Sequence, residues 1–364
     1  MDPQQILQYP HPAAPAAGTS VPIAPGLRWL RMPLPFALDH INLWLLEDGP
    51  DWAIVDCGIA SATTKALWEQ IFATLAAEET PAAHARAFQA ARVLVTHAHP
   101  DHIGLAHWLC ERFGASLWMS HADYLTAHAI GADIAGHTLD NLLLMFSRNG
   151  LCGEELKKMS QRDNHYRRAV PDVPQSFRRI MDGEEIRIGA HAWRVIMGYG
   201  HSPEHAALYS PELGVLISGD MVLPKISTNI SVWGVNPDGN PLQLFLDSLK
   251  RYAGLPADTL VLPSHGLPFR GLHERIAQLE EHHRQRFEEL HEACARPLSA
   301  FEAIPTLFQR ELDTQQLFFA LGESMAHMHY LWYQGALRRQ TGADGVIRYI
   351  QHGALPGNRL QNTV

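Results

Sequence analysis

The 364-residue chain reads as a layered α/β protein, and three observations predict it. Short β-branched runs alternate with stretches of helical periodicity, Gly, Pro and Asp mark the turns between them, and clusters of His and Asp fall where strand patterns end.

Between residues 27 and 57 the pattern is strand, turn, strand: residues 42–46 and 52–55 flank Glu47-Asp48-Gly49-Pro50 and predict a β-hairpin. A helix is expected over 63–77 and a short buried strand over 92–96. Residues 100–113 read as one helix, with Pro100 in its first turn, Ile103, Ala106, Leu109, Cys110 and Phe113 on one face, and Gly114 ending it. Residues 116–119 resume the sheet. Residues 122–170 show helical stretches such as 139–146 and no strand pattern, so they are expected to be an inserted cap that shapes access.

Strand patterns return at 185–188, 192–197, 206–209, 214–218 and 259–262, with helices at 241–252 and 273–292. After Ala295-Arg296-Pro297 the chain turns helical (300–310 and 314–337) and ends in a hairpin, 337–340 and 346–350, that turns at 342–345. The expected organisation is a flexible segment 1–24, a main domain 25–270 and a helical, winged-helix-like domain 271–364.

Composition narrows the function. With 46% hydrophobic and 18% charged residues the chain has the makeup of a globular protein. It holds no run of about 18 uncharged apolar residues, so no membrane span is expected. The first 24 residues lack the basic start and apolar core of a signal peptide, which predicts a cytoplasmic location. Cys57, Cys110, Cys152 and Cys294 form no C-x-x-C pair and are read as reduced, buried, small hydrophobes. A formal charge of −9 argues against nucleic acid, which favours basic surfaces. The count of 22 His directs attention to metals.

The decisive segment is Thr96-His97-Ala98-His99-Pro100-Asp101-His102, which offers four ligand side chains where a buried strand gives way to a loop. Imidazole and carboxylate suit a borderline divalent cation, and i, i+2 spacing on extended chain turns His97 and His99 to the same side. Asp101 and His102 follow the turn toward a neighbouring position, so one segment can serve two ions. Three further positions end strands beside small residues: His201 in Gly200-His201-Ser202, Asp220 in Ser218-Gly219-Asp220, and His265 in Ser264-His265-Gly266.

In this order, these motifs resemble the metallo-β-lactamase superfamily over about residues 27–270. The resemblance implies a four-layer αββα sandwich with the metals at one edge of two packed sheets. It also implies that His97, His99 and His201 bind one metal, that Asp101, His102 and His265 bind a second, and that Asp220 bridges them. Asp56 matches an aspartate that supports the metal loop. The implied cofactors are two divalent ions, with Zn2+ the first choice and Mn2+ or Fe2+ also fitting imidazole plus carboxylate. Such ions supply hydroxide at neutral pH and a Lewis acid, with Asp101 orienting the hydroxide.

Around this set, His205, Lys225 and Asn229 are candidates for supporting the ligands or contacting substrate. His107, His121, His128 and His137 stand alone and are read as structural. His165-Tyr166-Arg167-Arg168 is read as a solvated helix face. The stripe Phe318, Phe319, Leu321, Met325, Met328, Leu331 is assigned to packing.

Several branches of the superfamily fit poorly. An iron electron-transfer member would carry Glu in place of His99 and a flavin module. A β-lactamase would carry an export signal, and a persulfide dioxygenase binds one iron. The expectation is a hydrolase of an ester, thioester or lactone of a small acyl substrate. A phosphodiesterase or endoribonuclease is the alternative, because the C-terminal extension resembles that of a β-lactamase-like group that includes an endoribonuclease. Residues 271–364 carry 9 Lys plus Arg against 11 Asp plus Glu, which disfavours RNA. A metal-stabilised binding module is the non-enzymatic alternative, and a homodimer is left open.

Overall fold

The computed structural model describes residues 7–36, 38–78 and 87–356. Strands β1 (Ser20–Ala24), β2 (Leu27–Pro33), β3 (His40–Asp48) and β4 (Asp51–Val55) make an antiparallel meander. Helix α1 (Ala62–Glu78) precedes β5 (Ala90–Leu94), and α2 (Pro100–Ile103) and α3 (Ala106–Phe113) precede β6 (Ser116–Met119). Helices α4 (His121–Gly131), α5 (Leu139–Arg148), α6 (Gly153–Ser160) and α7 (His165–Ala169) separate it from β7 (Phe177–Arg179). These strands form one sheet in the order β1 to β7, parallel from β4 onward.

A second sheet takes β8 (Glu185–Ile188), β9 (His191–Gly198), β10 (His205–Ser210) and β11 (Val215–Gly219) in antiparallel succession. After α8 (Pro241–Leu249), β12 (Leu260–Pro263) adds in parallel beside β11. Helices α9 (Leu272–Ala293), α10 (Ile304–Leu307) and α11 (Thr314–Tyr333) follow, then the hairpin β13 (Leu337–Thr341) and β14 (Ile347–Gln351).

Alternation along the strands explains the layering. Trp29, Trp44, Leu46, Ala53 and Val55 face a core shared with Trp193, Val195, Leu208, Ile217 and Leu262 of the second sheet. The intervening Leu43, Leu45, Trp52 and Ile54 face Trp68, Phe72 and Leu75 of α1 and Leu109 of α3. Strands β3 and β4 at the centre of the first sheet are therefore apolar on both faces, as a strand covered on either side must be.

The chain divides into two compact units, residues 1–132, 165–228 and 248–276 in one and 133–164, 229–247 and 277–364 in the other. The expected insertion is thus split. Helices α4 and α7 belong with the sheets, whereas α5 and α6 join the C-terminal helices, where Phe146 packs edge-on to Phe318 with ring centroids 5.8 Å apart. No helix among the described residues is long and apolar enough to cross a membrane.

Four expectations are corrected. Of the segment 1–24 expected to be flexible, residues 1–6 lie outside the described residues, while 20–24 form β1, Leu7 is buried and Gln8 bridges to Arg270. The single helix expected over 100–113 breaks at Gly104, where a Cβ would lie 2.5 Å from Pro100 O and 2.7 Å from Ala60 N and Gly58 O. Leu105 N there donates to Gly58 O at 3.2 Å, which ties the turn to the loop after β4. Cys152 is exposed, at the start of α6. Residues 300–310 are helical only at Ile304–Leu307, since Ser299 and Glu302 satisfy each other in a turn.

Within the second unit, burial pushes the carboxyl of Glu323 up to about 7, partly offset by a 3.1 Å bond from Asn229 Nδ2 and by Arg286. A carboxyl raised in the folded state favours folding while protonated, and that advantage is lost as pH rises from about 4.5 through 7. Glu323→Gln should therefore raise the melting temperature relative to wild type at pH 8 and leave it unchanged at pH 4. Equal shifts at both pH values in thermal melts would contradict this.

Candidate metal centre

Every residue of the predicted ligand set lies just beyond a strand, except Asp101 and His102, which stand in the short helix α2 that follows β5. Thr96 and His97 follow β5, His201 follows β9, Asp220 follows β11 and His265 follows β12. Two backbone bonds join the sheets at this edge: Ala206 N to Thr96 O at 2.8 Å and Asn42 N to Ser264 O at 2.7 Å. Ligands carried by different sheets are thereby held in register.

The structure brings the seven residues into two groups. His97, His99, His201 and Asp220 form one, Asp101, His102 and His265 the other, and within each the candidate ligand atoms lie within 4.8 Å of one another. His97 Nε2 and His201 Nε2 are 3.2 Å apart. Asp220 faces both groups: Oδ2 is 3.3 Å from His201 Nε2, while Oδ1 is 3.5 Å from both His102 Nε2 and His265 Nε2. Asp101 Oδ2 completes the second group, 3.4 Å from His265 Nε2 and 3.7 Å from His102 Nε2.

The residues present fit divalent cations. His102 Nε2 and Asp220 Oδ1 are buried without a hydrogen-bond partner, a costly arrangement for polar atoms unless a cation satisfies them. Burial, reinforced by His201, pushes His99 down to about 3; burial and neighbouring imidazoles hold His97 well below its ordinary value. Both rings are therefore neutral and present lone pairs. Burial also opposes charge on Asp220 and Asp101, yet the facing imidazoles outweigh it and hold both carboxyls below their usual range. The same attraction, from Asp220 and Asp101 against burial, lifts His265 to about 10.

A supporting layer orients these groups. Asp56, placed among the candidates, accepts from Thr96 N at 2.8 Å through Oδ1, and its Oδ2 lies 2.8 Å from His102 Nδ1. That contact leaves His102 Nε2 for the site. The backbone of Asp56 is left-handed, with φ 60, a conformation uncommon for a non-glycine residue and held here by Asp56 N on Leu94 O and Cys57 N on His102 O. His265 Nδ1 donates to His40 O at 2.7 Å, and His40 Nε2 accepts from Gly266 N at 2.8 Å. Asn42 Nδ2 and Arg31 hold the Gly266 carbonyl.

His205, also among the candidates, is fully buried, and its Nε2 accepts from Asp220 N at 3.0 Å. Its ring occupies the space of an absent side chain, since a Cβ on Gly219 (φ 54) would sit 2.2 Å from that nitrogen. Lys225 is exposed on its loop. Asn229 belongs to the second unit, where its amide bonds Glu323 Oε2 and its carbonyl accepts from Ser231 Oγ at 2.8 Å. None of His107, His121, His128 and His137 joins either group.

Sequence reasoning missed Thr96, Asn42, His40 and Asp123. For Asp123 a local signal existed: Ser120 followed three residues later by an acidic residue is a helix-start pattern, and Ser120 caps α4 on Asp123 N. Thr96 opens the His97–His102 segment without offering a ligand type of its own, and Asn42 and His40 carry no motif.

A family model described as the metallo-beta-lactamase superfamily matches residues 37–265, more than half of the chain, and one described as a metallo-beta-lactamase-like C-terminal domain matches residues 287–352. The chain belongs to the metallo-β-lactamase superfamily, and within it to the metal-dependent hydrolases. A crystal structure of a beta-lactamase domain protein from Burkholderia ambifaria is 49% identical, covers 96% of this chain and 100% of that one, and superposes with a TM-score of 0.87. The probable metallo-hydrolase YqjP of Bacillus subtilis (strain 168) is 23% identical over 313 residues, 85% of this chain and 92% of that protein. A hydroxyacylglutathione hydrolase of Rhodobacter capsulatus is 27% identical over 182 residues, 50% of each.

Asp56→Asn tests the supporting layer, because Asn tolerates a left-handed backbone but cannot supply two acceptor oxygens. Affinity for divalent metal should fall by about 10- to 100-fold in competition with a chelator. Wild-type retention of metal would show that Asp56 plays no such part.

Proposed function

We propose that this chain is a dinuclear metal-dependent hydrolase that cleaves an ester, thioester or lactone of a small acyl substrate. The observation that carries the reading is the Asp220 carboxylate, which offers one oxygen to each of the two ligand groups. His97, His99 and His201 would hold one ion, Asp101, His102 and His265 the other, with Zn2+ the most natural occupant and Mn2+ or Fe2+ compatible. A pair of ions so held supplies a water whose pKa falls to about 7 and a Lewis acid for the scissile carbonyl.

The chain's own groups do the remaining work. Asp101, ionised and only partly buried, stands at the open side of its group, where it can orient a reacting water and carry a proton toward the leaving group. Asp56 and the His40 carbonyl fix the tautomers of His102 and His265, so that Nε2 of each faces the site. The resemblance to a hydroxyacylglutathione hydrolase supports acyl chemistry. We place phosphodiester or RNA cleavage second, because the acidic balance of the chain opposes a polyanion.

Metal analysis of the purified chain should find about two ions per protein, and Asp220→Ala should lose one ion and most of the hydrolytic activity. Two retained ions and full turnover in that variant would remove Asp220 from the role. A screen of p-nitrophenyl esters, thioesters, lactones and bis-p-nitrophenyl phosphate, with single-stranded RNA as a control at physiological salt, should show chelator-sensitive turnover of an acyl substrate. Efficient RNA cleavage with no acyl turnover would reverse the order of the two readings.

A further inference from the structure

Ala98 sits between His97 and His99, and both of its peptide groups are gripped by α4 and α7, the first and last helices of the inserted stretch. Its N–H donates to Asp123 Oδ1 at 2.8 Å, and its carbonyl accepts from the Tyr166 hydroxyl at 2.7 Å. Asp123 lies in the first turn of α4 and Tyr166 on α7. The peptide plane before Ala98 sets ψ of His97 and the plane after it sets φ of His99. Fixing both planes therefore fixes the directions in which the two imidazoles leave the chain.

The same carboxylate reaches the loop that carries the third imidazole of the first group. Asp123 Oδ2 accepts from Glu204 N at 2.7 Å and lies 3.3 Å from Ser202 Oγ, in the loop that follows His201. Asp123 is fully buried, so these bonds act in a low-dielectric setting where geometry is held tightly. The contacts that set His102 and His265 come from other elements: Asp56 Oδ2 lies 2.8 Å from His102 Nδ1, and His265 Nδ1 donates to His40 O at 2.7 Å.

From this we infer that Asp123 and Tyr166 are positioning residues that tune the affinity of the His97, His99 and His201 group, and leave the second group unaffected. The inserted stretch would thus act on one metal of the pair as well as on access. The inference rests on the two-ion reading given above.

The test uses the full chain, stripped of metal and titrated with Zn2+ against a chromophoric chelator. In a His265→Ala background, which disables the second group, Tyr166→Phe should weaken the remaining ion by about 10- to 100-fold. In a His99→Ala background the same change should alter affinity by less than about twofold. Asp123→Asn, close in shape but short of one acceptor, should weaken the first group too, and non-additively with Tyr166→Phe because both act on the Ala98 peptides. Equal losses in the two backgrounds, or none in the first, would overturn the inference while two ions on the wild-type chain still supported the functional reading. A wild-type chain that takes up fewer than two ions would overturn both.

Discussion

The rest of the site depends on one constraint: five imidazoles and two carboxylates share a space from which water is largely excluded. His97 and His102 are fully buried, and His265, Asp220 and His201 nearly so. Isolated burial of such groups would cost several kcal/mol each, and the arrangement is tolerable only when every polar atom has a partner of the right character. Outward-facing atoms find protein partners, as His102 does in Asp56 and His265 in the His40 carbonyl. Inward-facing atoms such as His102 Nε2 and Asp220 Oδ1 make no hydrogen bond, and a cation is the partner that suits imidazole and carboxylate at once.

The sandwich satisfies this constraint by placing the candidate ligands at one edge, in the segments that follow strand ends, where backbone groups are free to be used. Strands β4 and β5 run parallel in one sheet and β11 and β12 in the other, so their carboxyl ends can deliver Asp56, His97, Asp220 and His265 to a common region. The turns themselves demand unusual backbone. Asp56 is left-handed, and Gly219 must lack a side chain for the His205 ring to reach the amide of Asp220. Such positions are where local sequence preference yields to the needs of the site.

Much of this was legible beforehand, and the reason is spacing. His97 to His102 places four candidate ligands in six residues, and the hairpin of β3 and β4 followed from Glu47-Asp48-Gly49-Pro50 between two apolar runs. The break at Gly104 was not legible, because it depends on Gly58 and Ala60, which are remote in sequence. Neither was the grouping of α5 and α6 with the C-terminal helices, which follows from the contact between Phe146 and Phe318. Asp123 and Thr96 escaped notice because their partners are remote in sequence: Asp123 accepts from the amides of Ala98 and Glu204, and the Thr96 hydroxyl bonds the Asp56 carboxylate.

The two cross-sheet bonds at the ligand edge, Ala206 to Thr96 and Asn42 to Ser264, mean that the cluster exists only when both sheets are docked. An unfolded chain keeps only the local run from His97 to His102 together and scatters His201, Asp220 and His265, so ion binding favours the native state and adds to its stability by mass action. Survival of this protein at elevated temperature, or against proteases that attack opened chains, should consequently track the free concentration of the metal in its surroundings.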